Sequence, residues 1–377
     1  MNINKPSMGW NTWNTFGANI NEKLVLEMAD VMVSEGYLDA GYDTLVIDDA
    51  WQMDKRSDDG HIQVDKEKFP NGIKAVADYV HSKGLKFGLY SAAGVRTCCD
   101  KPGSFGYEYV DAQDFADWGV DYIKYDLCHF PGAGDRKVAY LTMGMALKAT
   151  GRDIVYSAAI CGEAEPGTWL RSVGAHNFRM SGDILDTFGS IKFIADKMDK
   201  ESHLTASGSY GDMDMLVVGM RGEGYAAKGG CSWEEYYTHF ALWCFYNSPL
   251  MIGADLRKIS EEDKKILLDK NLIAINQDIE NRFPFRERTG RYAVIQPDKY
   301  PLIKLLSDNK FAIGLFNMQE HEDTVNVYLP DFGISASSGK KLKITDIRTG
   351  ESKVVRDAFN YKLQPHACRV YLAEIVD

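Results

Sequence analysis

The chain has 377 residues, 45% of them hydrophobic and 26% charged, as expected of a globular protein with room for one large domain and a smaller one. A formal net charge of −11 with no long basic run argues against nucleic acid or an anionic membrane as partner. No apolar run approaches the roughly 20 residues of a membrane span, and the opening MNINKPSMGW has no apolar signal-peptide core, so the chain as given reads as cytoplasmic.

Short apolar runs alternate with amphipathic stretches along the first 280 residues. The strands predicted in chain order are MGWNTW (8–13), TLVIDD (44–49), LKFGLYSA (85–92), VDYIKYD (120–126), DIVYSAA (153–159), NFRMSGD (177–183), GDMDMLVVG (211–219) and PLMIGAD (249–255). Between them, three- and four-residue apolar spacing predicts helices such as 21–36, 72–84, 111–119 and 232–247. Eight strands alternating with helices predict a (β/α)₈ TIM barrel over residues 1–283. From about Arg286 the texture changes to short alternating runs: RYAVIQ, YPLIKLL, FAIGLFN, TVNVYLP, KLKITDI and CRVYLAE. They predict an antiparallel β-sandwich over 284–377.

Seven cysteines leave at least one without an intrachain partner, and none stands in the CxxC pairs of a zinc site. Cys231 and Cys244, in apolar helical surroundings, read as inert core thiols.

Barrel active sites gather at the C-terminal ends of the strands. Here those ends carry Trp13, Asp48 and Asp49, Tyr90, Lys124 and Asp126, Arg179 with Asp183, and Asp214. Burying such groups is costly unless they are paired or used. No phosphate-binding glycine motif accompanies them. A divalent metal is disfavoured, since Lys124 and Arg179 would oppose its charge, and no cofactor is called for. Two carboxyl groups with polar and aromatic side chains around them suit glycoside hydrolysis. Asp126, two residues beyond Lys124 on the same strand face, is expected to stay ionised beside the ammonium.

The runs MGWNTWNTFG, VIDDAWQ, GLYSAAGVRTC, PGSFGYE, DYIKYDLC, RMSGDI, DMDMLVVG, HFALWCFYNSPLMIGADLRKI and IAINQD occur in an order that resembles glycoside hydrolase family 27, the α-galactosidase (melibiase) family. The resemblance implies a retaining exo-glycosidase that removes terminal α-linked D-galactose without metal or cofactor. It implies Asp126 as nucleophile and Asp183 as general acid/base. It places Asp48 and Asp49 at the 6- and 4-hydroxyls, Lys124 at the 3- and 4-hydroxyls, and Arg179 at the 2- and 3-hydroxyls. Trp13, Tyr90, Cys98, Cys161 and Asp214 would complete the sugar pocket, and Cys98 and Cys128 are the pair the family commonly bridges. The partner implied is a carbohydrate, with self-association left open.

The chain departs from the family pattern after the fifth strand, where ICGEAEPGTW places Gly162 at a position commonly held by glutamate and shortens the loop over the sugar's 2-position. Three readings follow: room for the acetamido group of N-acetylgalactosamine, closure of the gap by Glu163, or a neutral trim of the loop with galactose still preferred, which is the favoured one. The β-L-arabinopyranosidase alternative is disfavoured by retention of both Asp48 and Asp49. A catalytically silent sugar-binding barrel is disfavoured by retention of both Asp126 and Asp183. Asp183 is expected to have a raised pKa, from burial and the neighbouring Asp126 charge, opposed by Arg179.

Overall fold

The computed structural model describes residues 3–286 and 298–377. Eight parallel strands form the first domain: β1 Met8–Asn11, β2 Thr44–Ile47, β3 Lys86–Ala92, β4 Tyr122–Asp126, β5 Val155–Ala159, β6 Asn177–Arg179, β7 Tyr210–Asp212 and β8 Leu250–Ile252. From β1 to β7 each strand pairs with the next, and β1 also pairs with β8. The ring closes just past β7, where Leu216 N–H donates to the Met251 carbonyl (2.7 Å) and Gly253 N–H to the Leu216 carbonyl (2.9 Å). This is the predicted (β/α)₈ barrel.

Several strands are shorter than their apolar runs. β1 stops at Asn11, whose side-chain oxygen accepts the Trp13 N–H (2.8 Å) and turns the chain into a short helix, Trp13–Phe16. The run 211–219 keeps only its first two residues, Gly211 and Asp212, in a strand, β7, because Asp214 adopts φ +75° and bends the chain toward the site. Several of the helices around the ring begin on side-chain caps. Asn21 caps Glu22–Ser34, Asp135 caps Arg136–Ala149 and Thr187 caps Phe188–Glu201. Ser232 and Glu235 form a capping box on Trp233–Phe245. From Tyr236 onward that last helix is buried, held between barrel and sandwich.

Among the described residues the second domain has a six-stranded and a two-stranded antiparallel sheet. Its strands are β9 Phe285–Arg286, β10 Lys299–Leu305, β11 Lys310–Asn317, β12 Asp323–Tyr328, β13 Lys341–Asp346, β14 Ser352–Val355, β15 Ala358–Leu363 and β16 Cys368–Val376. The predicted run RYAVIQ (291–296) lies outside the described residues. Alternate residues of the two sheets, such as Ile313, Leu315 and Ile344 against Val325, Val327 and Phe359, share one core.

The seam between the domains includes a fully buried lysine. Lys304 Nζ donates to the carbonyls of Ile275 (2.6 Å) and Cys244 (3.2 Å) and to the Asn247 side-chain oxygen. Both carbonyls belong to the last turns of barrel helices, which leave acceptors free and favour positive charge. No described helix is long and apolar enough to cross a membrane.

Candidate functional site

Adjacent strand ends assemble the site. Strand registry sets Tyr90 of β3 beside Lys124 of β4, and Asp126 between Ala92 and Ala159. Three contact groups result.

The first is centred on Asp48. Its Oδ2 accepts from Lys124 Nζ (2.7 Å) and Asn11 Nδ2 (2.8 Å), and both residues of the ion pair are largely withdrawn from water. The neighbouring Asp49 accepts from the N–H groups of Cys99 (2.8 Å) and Ala50 (2.6 Å). Burial nevertheless raises its pKa, with Asp48 adding to the rise.

The second group surrounds Asp126. Its Oδ1 accepts the Leu127 N–H (2.8 Å) and its Oδ2 the Tyr90 hydroxyl (3.3 Å). Tyr90 is itself fixed by the Trp51 indole N–H, which donates to its carbonyl (3.0 Å). Cys98 and Cys128 form a disulfide whose sulfurs lie within 4.8 Å of an Asp126 oxygen. Among the described residues this trio alone brings three potential metal donors together, but two are disulfide sulfurs and offer no thiolate.

The third group is held by one guanidinium. Arg179 Nη2 donates to Asp183 Oδ1 (2.8 Å) and Asp214 Oδ2 (2.6 Å). Asp214 also accepts the N–H groups of Ile184 (2.7 Å) and Met215 (2.8 Å). Its carboxylate is therefore fully engaged behind Arg179, whereas the Asp183 side chain is 68% exposed. Cys161, half-buried just after β5, has its thiol pushed up to about 12 by burial and the Asp126 charge.

The electrostatics depart from the sequence expectations at both carboxyls. Lys124 is bonded to Asp48, so its pull on Asp126 is exerted at longer range. Burial outweighs the attraction of Lys124, the Leu127 N–H and Arg179, and raises the Asp126 pKa. Asp183 moves the other way. Burial raises it, but the Arg179 and Lys124 charges and the Arg179 hydrogen bond prevail and hold it below the usual carboxylate value. Burial also pushes Asp214 up to about 6 against the attraction of Arg179.

The shortened loop after β5 is locked in place. Gly162 has φ +74°, and a Cβ there would come within 2.2 Å of Lys197 Nζ and 2.5 Å of the Met180 carbonyl, so this backbone has no room for a glutamate. Glu163 pairs with Arg136 at the surface.

Trp13 stands at the mouth, sharing Asn11 with Asp48 and meeting the Tyr225 ring edge-on at 5.0 Å. Asn11, Trp51 and Tyr225 were not singled out in the sequence. Asn11 and Trp51 lie within quoted motifs without an ionisable side chain to mark them. Tyr225 sits in a glycine-rich segment, GEGYAAKGG, with no apolar period.

Two family models match this chain: Alpha galactosidase A over residues 5–278, and the Alpha galactosidase C-terminal beta sandwich domain over 302–373. The alpha-galactosidase of Oryza sativa subsp. japonica is 36% identical, the match covering 97% of this chain and 84% of that one. The crystal structure of alpha-galactosidase I from Mortierella vinacea superposes with a TM-score of 0.91 at 31% identity, covering 98% of this chain and 97% of that one. The alpha-galactosidase of Saccharomyces cerevisiae with raffinose gives a TM-score of 0.87 at 26% identity, over 99% and 98%. With both domains matched in order and the acidic strand ends assembled in one site, the chain belongs to the α-galactosidase (melibiase) family of glycoside hydrolases, family 27.

Proposed function

We propose that the protein hydrolyses terminal α-linked D-galactose from galactosides by retaining double displacement, with Asp126 as nucleophile and Asp183 as general acid/base. The observation that carries this reading is the pair of carboxyls in opposite settings. Asp126 is enclosed at the base of the site, and Asp183 stands at its open rim on an arginine. An Asp126 oxygen attacks the anomeric carbon as Asp183 gives its proton to the departing oxygen. Asp183 then takes a proton from water, whose oxygen displaces Asp126 from the sugar and restores both carboxyls.

The remaining groups suit a polyhydroxylated ring. Asp48 and Asp49 supply acceptors and Lys124 and Arg179 supply donors, giving charge-assisted hydrogen bonds to hydroxyls. Asp214 acts behind them by fixing Arg179. The Tyr90 hydroxyl orients Asp126 and Trp13 offers an apolar surface. Hydroxyls that engage Arg179 compete with Asp183 for the guanidinium, which raises the Asp183 pKa toward the value an acid needs. The α-N-acetylgalactosaminide reading is not favoured, because the place a side chain at Gly162 would take is already filled by Lys197 Nζ and the Met180 carbonyl rather than left open for an acetamido group.

The test is hydrolysis of nitrophenyl α-galactoside beside its α-N-acetylgalactosaminide and β-L-arabinopyranoside counterparts, with the first-formed anomer read by NMR. Fastest turnover of the α-galactoside with retained anomeric configuration is expected. An inverted product would overturn the covalent mechanism, and preference for another sugar would overturn the galactose assignment.

A further inference from the structure

Tyr225 is 64% exposed, yet its position is tightly determined. Its N–H donates to the Thr15 carbonyl (3.1 Å), and the next N–H, of Ala226, donates to the Asn14 carbonyl (2.8 Å), so the segment is stitched to the turn that follows β1. Gly224 permits this approach: its φ is +104°, and a Cβ there would lie 2.8 Å from the Thr15 Cα. The ring is braced by Trp13 at 5.0 Å on one edge and by Gly17, whose added Cβ would come 3.0 Å from Tyr225 Cδ2. Among the described residues its hydroxyl has no hydrogen-bond partner.

The segment is also joined to the proton donor. Asp186, three residues after Asp183, is fully buried. Its N–H donates to the Ala226 carbonyl (3.1 Å), and its carboxylate accepts from the Gly222 N–H (2.7 Å) and the Tyr236 hydroxyl (2.9 Å). Asp186 thus ties the chain that carries Asp183 and the half-exposed Leu185 to the segment that carries the exposed Tyr225. A general acid faces the leaving group, so the rim at Asp183 is where the leaving group departs. An aromatic ring held rigid before binding loses little conformational freedom when a ligand stacks on it.

We propose that Tyr225, with Leu185 beside it, forms the aglycone subsite and stacks on the apolar face of a sugar ring, so that the preferred leaving group is a saccharide. The proposal rests on Asp183 being the proton donor of a galactosidase. The free hydroxyl then meets a hydroxyl of that second ring, and Trp13 links the two subsites through its contacts with Tyr225 and, through Asn11, Asp48.

The experiment compares an α-galactosyl-(1→6)-glucose disaccharide with methyl α-galactoside, whose leaving group has no ring. In Tyr225→Ala the ratio of kcat/KM for the disaccharide to that for the methyl glycoside should fall about tenfold, the scale of one lost aromatic contact. Tyr225→Phe should keep most of the wild-type ratio. An unchanged ratio in Tyr225→Ala, whether both rates fall together or neither does, would overturn the subsite and leave Tyr225 as a brace for Trp13. If the wild type cleaved neither galactoside, the galactosidase reading would fall instead. The same ratio, read on the matching N-acetylgalactosaminides, would then decide the subsite.

Discussion

Asp183 and Asp214 share one guanidinium nitrogen, so replacing Asp214 by asparagine tests how the acid/base is tuned. Each carboxyl has an oxygen within 2.8 Å of Arg179 Nη2, and the pair Arg179–Asp214 is almost wholly buried. Two unit charges about 5 Å apart interact by roughly 1 kcal/mol in water and roughly 3 kcal/mol at an effective dielectric of 20. Asp183 is open to solvent on its outer side, so the lower figure applies, about one pH unit. In Asp214→Asn the carboxylate that competes for Arg179 is gone, and Arg179 attracts Asp183 unopposed. That change lowers the Asp183 pKa further. With Asp183 as the proposed proton donor, activity requires it protonated and is lost as pH rises through that pKa, so the alkaline limb of kcat/KM should move toward acid by about one pH unit. The acid limb, set mainly by Asp126, should stay near its wild-type place. Stability should fall by about 3 kcal/mol at most, since one partner of a buried pair is lost while Arg179 keeps Asp183. An alkaline limb that stayed put or moved upward would refute the shared-arginine account.

Asp126→Asn should lower kcat by at least about a thousandfold. It should also raise the melting temperature above pH 7, because the raised pKa means that the ionised carboxylate costs folded-state stability there; a lower melting temperature would contradict the burial argument. Asp183→Ala should slow an alkyl α-galactoside far more than the nitrophenyl one, since nitrophenolate leaves without a proton; equal losses in the glycosylation step would reduce Asp183 to a sugar contact. Lys304 is pushed down to about 7 by burial. The unfolded chain then binds the extra proton between about pH 7 and pH 10, so wild-type stability should gain a rising component across that window. Denaturant titrations of Lys304→Met should lack it, and an unchanged slope would show that the three acceptors hold the ammonium charged. Cys98→Ser opens a bridge spanning 30 residues and should cost roughly 3 kcal/mol of stability by loop entropy, measured against wild type in oxidising buffer.

The barrel was legible because a parallel strand buried on both faces is written as an unbroken apolar run, and eight such runs alternate with helical periods. Strand lengths were less legible. Apolar content continues past Asn11 and Asp212, and what stops those strands is local: a side-chain hydrogen bond at Asn11 and a positive φ at Asp214. The charged residues of the site stood out because each is an anomaly at the end of a buried strand. Their pairing did not. Alternation along β4 placed Lys124 and Asp126 on one face, but the short link to Lys124 comes across the barrel from Asp48, a contact 76 residues away in sequence. Tyr225 carried no such mark, since its position depends on hydrogen bonds to Asn14 and Thr15 from the far end of the chain.

The same pairing explains why the site holds its two carboxyls the wrong way round before substrate arrives. Each cation is already committed: Lys124 to Asp48, and Arg179 to Asp214 and Asp183. Asp126 is left with a backbone N–H and a tyrosine hydroxyl as its direct partners, so in the free site a proton prefers it to Asp183. Catalysis needs the opposite arrangement, and the two carboxyls titrate as a pair. A hydroxyl placed on Arg179 competes for the guanidinium that Asp183 shares with Asp214. A sugar ring also removes water from the outer face of Asp183, which disfavours its charge. With Asp126 as the proposed nucleophile and Asp183 as the proposed acid, substrate binding would move the proton preference from the first to the second, and part of the glycone's binding energy would be used to prepare the chemical step.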